Sequence, residues 1–440
     1  MYALIDCNNF FVSCERLFRP EFATVPVVVL SSNDGCAISR SAEAKALGIT
    51  MGEPLHKLRE RFTVIDPTSP CSVPSQGRPS VVAYSANFEL YGDISERIVS
   101  TLCSITPQIE IYSVDEAFLD LSPLDIDNYI KWGGRIRDYL LRHIGIPVSI
   151  GVAPTKTLCK LASHHAKKDL STGGMVYLDP YHNAAHYQQR LQDTAVEAVW
   201  GVGWRLAPKL RVEGISTALE LARLRPRQAQ QLMHIQGRRL VTELSGTACL
   251  PLKQATPPQH AIARGRQFGH DTDSLGVITA AVTSLAARAA AELRREHQRA
   301  HDATVLLSTN RRKPNYTRRA LAIRLTAPTA DTGTICRALI ETLEQGFEPY
   351  KYHKAEVILY NLSSDQLLQI DLLGKVDARS TERSERRMHA LDSIRAKYGS
   401  ASLGYASEHL STAWQPRKAL SSPRYTSHWQ ELPVATILAD

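Results

Sequence analysis

Short apolar runs alternate with amphipathic stretches over residues 1 to about 168. Tyr2-Ala3-Leu4-Ile5 reads as a core strand ending on Asp6, and residues 25–30 and 147–152 read as further strands. Residues 39–47 carry the Ala and Glu content of a helix, and 129–143 are amphipathic at helical spacing. Ile109, Ile111 and Tyr112 precede the adjacent acids Asp115 and Glu116, while Phe118, Leu119 and Leu121 follow them. Two short strands meeting at a turn are expected there, the second over 117–121. Mixed strand and helix content points to an α+β or mixed α/β domain. Residues 67–79, with four prolines among serines and a glycine, read as a surface loop.

Residues 169–248 are helical in pattern. Their clearest feature is Val199-Trp200-Gly201-Val202-Gly203-Trp204-Arg205-Leu206. Pro208 falls inside the second predicted helix of that region, where it should cost a backbone bond. Pro251, Pro257 and Pro258 mark a linker over 249–261. Beyond it, 275–297 is a long helix, 320–325 and 354–359 are strand-like, and 333–343 is helical. The tail from 363 onward has the pattern of no compact domain, apart from a charged helix over 382–398.

A chain of 440 residues with 43% hydrophobic positions fits two to four domains with substantial cores. Eight cysteines without C-x-x-C spacing argue against a zinc site or a disulfide scaffold and suit a reducing compartment. No apolar run of transmembrane length and no signal peptide is read, so no membrane partner is expected. The net charge of +8 leans toward a polyanionic partner. Between Arg288 and Arg324 there are ten Lys or Arg against three acids. That run includes Arg311, Arg312 and Lys313, with Asn315 and Tyr316 beside them, and reads either as a DNA groove lining or as a solvated basic face.

The chemistry centres on carboxylates. Asp115 and Glu116 are either turn residues or cation ligands, and Asp6 is either a helix cap or a third ligand. Three acids facing one another oppose ionisation unless a cation neutralises them, and Mg²⁺ takes such oxygen donors together with phosphates. Lys45, Lys156 and Lys160 are candidate phosphate binders. Lys156 and Lys160 share a helix face, and the turn over 151–155 puts that helix N-terminus near the sheet, a natural anion site. The alternative is a solvated basic helix. Gly201 and Gly203 allow backbone N–H groups to approach a phosphate.

The segments Ala3-Leu4-Ile5-Asp6-Cys7-Asn8-Asn9-Phe10-Phe11, Ser31-Ser32-Asn33-Asp34-Gly35-Cys36, Ala42-Glu43-Ala44-Lys45-Ala46-Leu47-Gly48, Tyr112-Ser113-Val114-Asp115-Glu116-Ala117-Phe118 and Gly151-Val152-Ala153-Pro154-Thr155-Lys156-Thr157-Leu158-Cys159-Lys160-Leu161-Ala162 resemble those of the Y-family DNA polymerases, within them the UmuC-type group. The resemblance runs through almost the whole chain. It implies a multidomain α+β right hand: a palm over 1–168 with fingers inserted at about 22–78, a thumb over 169–248 with a helix-hairpin-helix gripping the DNA backbone at Gly201 and Gly203, a little finger over 262–362, and a tail over 363–440. Asp6, Asp115 and Glu116 would be the catalytic metal carboxylates, joined by the Cys7 carbonyl, around two Mg²⁺ ions.

Phe11, otherwise a core aromatic, would take the place of the steric gate that excludes a ribose 2′-hydroxyl. Lys160 would meet the triphosphate, and Lys45 stands where many relatives have Arg. Ala42 replaces a Tyr that touches the triphosphate in many relatives, a departure common to the UmuC-type group. Gln369-Ile370-Asp371-Leu372-Leu373 looks like a clamp-binding pentapeptide, with Gln369, Leu372 and Leu373 as its anchors. Residues 416–429 are similar to the UmuC C-terminal region, and Trp414 and Trp429 are candidate partner anchors. The implied activity is error-prone translesion synthesis on primer-template DNA with dNTPs, in the cytoplasm at the nucleoid. The implied partners are a processed UmuD-type dimer, RecA and the β sliding clamp. The rival readings are a two-metal nuclease and a non-catalytic DNA-binding subunit of a repair complex.

Overall fold

The computed structural model describes residues 1–68, 78–253, 259–365, 378–399 and 402–432. Most of the proline-rich loop (69–77), the middle of the linker (254–258) and the whole pentapeptide from Gln369 to Leu373 lie outside the described residues. The described residues within 1–31, 35–256 and 420–440 form one compact unit, and those within 32–34 and 257–419 form another.

In the first unit every residue from Ala3 to Cys7 is buried, because the strand Tyr2–Cys7 is the middle of a five-stranded sheet covered on both faces. The order is Ile109–Ile111, Glu116–Asp120, Tyr2–Cys7, Val148–Ala153, Met175–Tyr177, antiparallel except for the last pair. Alternation sorts the side chains. Ala3, Ile5 and Cys7 enter a core shared with the helices Phe10–Leu17 and Phe88–Ile105. Leu4 enters a second core with Phe118 and the helix Lys156–Lys168. That helix lies so close to the sheet that a Cβ on Gly151 would stand 2.3 Å from the Cys159 carbonyl oxygen. The helices Ala184–Gln192, Ala207–Val212, Ala218–Ala222 and Pro226–Leu244 close over the same second core. Pro208 sits in the first turn of its helix, where no N–H partner is needed, so it costs no bond.

A smaller four-stranded sheet runs Ala37–Arg40, Val27–Leu30, Ser80–Ser85, Thr63–Ile65. The helix expected over 39–47 is corrected by it. Ser41 accepts the N–H of Ala44 and caps a short helix, Ala42–Ala46, which leaves the residues before it free to pair as a strand.

The second unit is a four-stranded antiparallel sheet in the order Ala261–Thr272, Tyr352–Ser364, Gln298–Thr309, Arg318–Thr329. The helices Leu275–Arg295 and Thr332–Gly346 share its core. By length and composition Leu275–Arg295 is apolar enough to cross a membrane, which corrects the expectation that no such run exists. Its Ala280, Ala281, Val282, Ala286 and Leu293 are buried in the core of this unit, so its hydropathy is that of a core helix.

The tail is also corrected: it completes cores built elsewhere. The helix Ala378–Tyr398 buries Met388 and Leu391, and Trp414 belongs to the core of the second unit. Leu420 and Tyr425 are buried in cores of the first. Apolar residues spread singly leave no periodic pattern, which is why the sequence shows no domain there. The multidomain α+β class is as expected.

Candidate active site

Asp6 and Glu116 are direct partners in the antiparallel ladder, so their side chains leave the same face of the sheet. That face looks onto the helix Lys156–Lys168, whose Lys167 Nζ stands 2.5 Å from Asp6 Oδ1 and whose Lys160 Nζ stands 2.6 Å from Glu116 Oε2. Burial pushes the Asp6 carboxyl up to about 7; Lys167 opposes the rise and the neighbouring Glu116 adds to it. Despite the ion pair, Asp6 Oδ1 has no hydrogen bond of good geometry. Asp115 behaves differently. Its carbonyl accepts the Cys7 N–H at 2.9 Å, and its carboxylate turns back to accept the Ser113 hydroxyl at 2.6 Å. Asp6 and Glu116 thus face each other across the ladder, while the Asp115 carboxylate is engaged by its own turn and its charge, like theirs, bears on Cys7. Among the described residues no group of three His, Cys, Asp or Glu side chains forms a ready metal cage.

Lys160 lies 4.2 Å from the centre of the Tyr112 ring and 5.9 Å from those of Phe118 and Trp200. The Trp200 indole N–H donates to the Tyr112 hydroxyl at 3.2 Å and closes this aromatic surround. Lys156 is elsewhere, and its reading as a phosphate binder is corrected. It is buried, ion-paired with Glu110 and donating to the Pro251 carbonyl at 2.9 Å. The helix N-terminus is an anion site, as the turn over 151–155 implied, but the anion is the chain's own. Buried Glu243 accepts the Thr157 N–H at 3.1 Å, and its other oxygen accepts from Cys249 and Leu250.

Lys45 donates to Asn9 Oδ1 at 2.5 Å. Partial desolvation holds it below the ordinary lysine value, and repulsion from Arg40 and Lys167 lowers it further, so three cations gather where strand Tyr2–Cys7 turns into the next helix. Phe11 is on that helix, half-buried and stacked on Tyr91 with centroids 4.6 Å apart. Gly201 has φ +92°, a conformation that requires glycine, and neither it nor Gly203 has a neighbour within 4 Å of an added Cβ. In the second unit Arg311, Arg312 and Lys313 are exposed in the turn between two strands. Arg311 lies over Tyr316, and Lys313 pairs with Asp271 at 2.7 Å. Trp414, read as a partner anchor, is buried; Trp429 is exposed.

Sequence reasoning missed Lys167, Tyr112, Trp200 and Tyr91. Lys167 was legible, because it is two helical turns from Lys160 and so shares its face. The aromatic partners were not, since their contacts join distant segments.

The impB/mucB/samB family model matches residues 5–164 and its C-terminal domain 259–372, while a domain of unknown function matches 385–435. Protein UmuC of Salmonella typhimurium strain LT2 is 38% identical over 437 residues, which cover 98% of this chain and 99% of that protein. Protein SamB of Salmonella typhimurium is 36% identical over 443 residues, 99% of this chain and 100% of that one. Among solved structures, a Y-family DNA polymerase chimera of Dbh and Dpo4 superposes with a TM-score of 0.61 at 20% identity. It covers 82% of this chain and 98% of its own.

Proposed function

The chain belongs to the impB/mucB/samB family, the UmuC-type group of Y-family DNA polymerases, and from that premise we propose that this DNA-directed DNA polymerase copies damaged template by two-metal nucleotidyl transfer from dNTPs to a primer 3′-hydroxyl. One observation carries the reading. Two cross-strand carboxylates, Asp6 and Glu116, are ion-paired with Lys167 and Lys160, and Lys45, which feels the Lys167 charge, donates to Asn9 just beyond the same strand. Acids that hold a metal lie next to bases that hold a triphosphate.

The donor set fits hard divalent cations. The oxygens are carboxylate, and burial raises the Asp6 carboxyl even with Lys167 beside it, so a bound cation would stabilise its ionised form. Asp6, Glu116, Asp115 and the Cys7 carbonyl are the groups to hold two Mg²⁺ ions. Bound there, such ions neutralise phosphate charge and favour the ionised form of the primer hydroxyl. The chain's own side chains supply orientation. Lys45 and Lys160 hold the triphosphate, and the Phe11 ring fills the space a 2′-hydroxyl requires. Gly201 and Gly203 approach the DNA backbone, as do Arg311, Arg312 and Lys313. The protein acts in the cytoplasm with a processed UmuD-type dimer, RecA and the β sliding clamp, the last through Gln369, Leu372 and Leu373.

Primer extension by the full chain with those partners tests the proposal. Asp115→Ala and Glu116→Ala are each expected to abolish nucleotide addition while leaving primer-template affinity, read by fluorescence anisotropy, unchanged. Near-normal incorporation by either variant overturns the carboxylate assignment.

A further inference from the structure

The Phe11 and Tyr91 rings stack with planes 19° apart, and Phe88 meets each of them edge-on at 6.0 Å. The far end of Tyr91 is tethered: its hydroxyl donates to Glu15 Oε1 at 2.7 Å. Glu15 is one helical turn after Phe11, on the same face, and is fully buried. The Ser422 hydroxyl donates to the same oxygen at 3.2 Å and itself accepts from the Asn87 side-chain amide at 3.0 Å. Ser422 is held in turn by its neighbours. The Ser85 N–H donates to the Leu420 carbonyl at 2.8 Å, the Leu420 N–H donates to Ser85 Oγ at 3.0 Å, and Tyr425 stacks on Phe18 with centroids 4.4 Å apart.

Among the described residues no basic side chain pairs with Glu15, and its Oε2 has no partner. A carboxyl in such a place is costly, and helix packing alone would be better served by an apolar side chain. Its Oε1 accepts both hydroxyls. These contacts link residue 11 to residue 422 without a gap: Phe11 rests on Tyr91, Tyr91 is fixed by Glu15, and Glu15 is fixed by Ser422.

We propose that Tyr91 is a positioning residue for sugar discrimination: tethered through Glu15 to Ser422, it sets where the Phe11 ring stands, so that the C-terminal segment 420–425 governs the choice between deoxyribo- and ribonucleotides. The inference rests on the reading of Phe11 as the sugar gate. A ring displaced by a fraction of an ångström changes the space left for one hydroxyl, whereas the deoxynucleotide, lacking that group, is affected less.

The test is single-turnover incorporation of a dNTP and the matching rNTP by the full chain with its partners. Nucleotide affinity is measured in parallel on a dideoxy-terminated primer, where no chemistry follows. Tyr91→Ala is expected to raise the rNTP-to-dNTP ratio of kcat/KM about two- to tenfold, the range one aromatic pair supports, mainly through the rNTP KM. Ser422→Ala and Glu15→Leu are expected to raise it less. Glu15→Gln, which keeps an acceptor oxygen, and Ser422→Thr, which keeps the hydroxyl, are expected to restore the parental ratio. In a Phe11→Ala background Tyr91→Ala should add nothing.

If Phe11→Ala raises the ratio while Tyr91→Ala and Glu15→Leu leave it parental, the positioning role is wrong and the gate stands. If Phe11→Ala itself leaves the ratio unchanged, the gate reading fails and the inference falls with it. Should Tyr91→Ala not fold, Tyr91→Phe and Ser422→Ala each remove one hydroxyl; parental ratios in both overturn the inference.

Discussion

The ammonium of Lys160 and the carboxylate of Glu116 meet at 2.6 Å with 15% and 18% of their side chains exposed. Lys160 thereby competes for Glu116 with any cation that binds there, while the surrounding Tyr112, Phe118 and Trp200 rings keep its charge in place. Two effects of opposite sign follow for Lys160→Ala. Loss of a charge-assisted contact to the triphosphate is worth about 1.5–3 kcal/mol, so the dNTP KM should rise about ten- to a hundredfold. Freed from its rival, Glu116 should bind Mg²⁺ more tightly, and half-saturation should fall. Steady-state kinetics over dNTP and Mg²⁺ separate the two. An unchanged dNTP KM would leave Lys160 as a counter-ion only.

Glu15 gives a pH dependence with a definite sign. Burial pushes its carboxyl up to about 7 from the usual 4.5, against the Tyr91 and Ser422 hydroxyls, which pull it down. The folded chain therefore holds a proton that the unfolded chain releases over that interval. Stability falls as pH rises from about 4.5 to about 7 and is level above it, by about 3 kcal/mol in full. Glu15→Gln cannot ionise and should lose this slope. Urea unfolding of both proteins at pH 5 and pH 8 reads the effect. Parallel pH profiles for the two would show that Glu15 titrates normally.

These residues show what the sequence could and could not carry. Tyr2–Cys7 was legible because burial on both faces makes a continuous apolar run, and an acid at its end stands out. The pairing of Asp6 with Glu116 depends on ladder register, which the hairpin pattern implied without fixing. Lys156 could not be told from Lys160 by spacing, because its partner Glu110 lies on a distant strand. Trp414 resembled a partner anchor because nothing near it in sequence explains an aromatic residue. It is in fact buried in a core that also holds Phe268 and Leu285, more than a hundred residues away.

The pentapeptide at 369–373 yields a separable prediction. Burying a Leu side chain is worth about 1.5–3 kcal/mol, which suits a weak, exchangeable tether. Replacing Leu372 and Leu373 with Ala should shorten clamp-dependent products and spare single-nucleotide insertion. A peptide spanning 367–375 should bind the isolated clamp. Absence of binding, together with a lower melting temperature of the double variant, would place the two leucines in the protein's own packing.

The helix Ala378–Tyr398 combines polar and apolar attachment, and magnitudes rank the two. Arg294 grips Asp392 through two contacts at 2.6 and 2.7 Å, Arg299 meets Glu385 at 2.5 Å, and Arg387 meets Asp331 at 2.6 Å. Asp392 is 35% exposed, Glu385 59% and Arg387 62%, but their partners Arg294, Arg299 and Asp331 are only 14%, 8% and 6% exposed, so each pair is worth about 1.5–3 kcal/mol, weakened by salt on its exposed side. Met388 is 3% exposed, and its sulfur accepts the Thr332 N–H at the start of a core helix. Truncating a buried Met costs about 2–5 kcal/mol. Met388→Ala should therefore release the helix, lowering amide hydrogen-exchange protection across 381–398. Asp392→Asn should lower it less, and by an amount that shrinks in 1 M salt. Equal loss of protection in the two variants at low salt would show that the arginines, and not the methionine, hold the helix down.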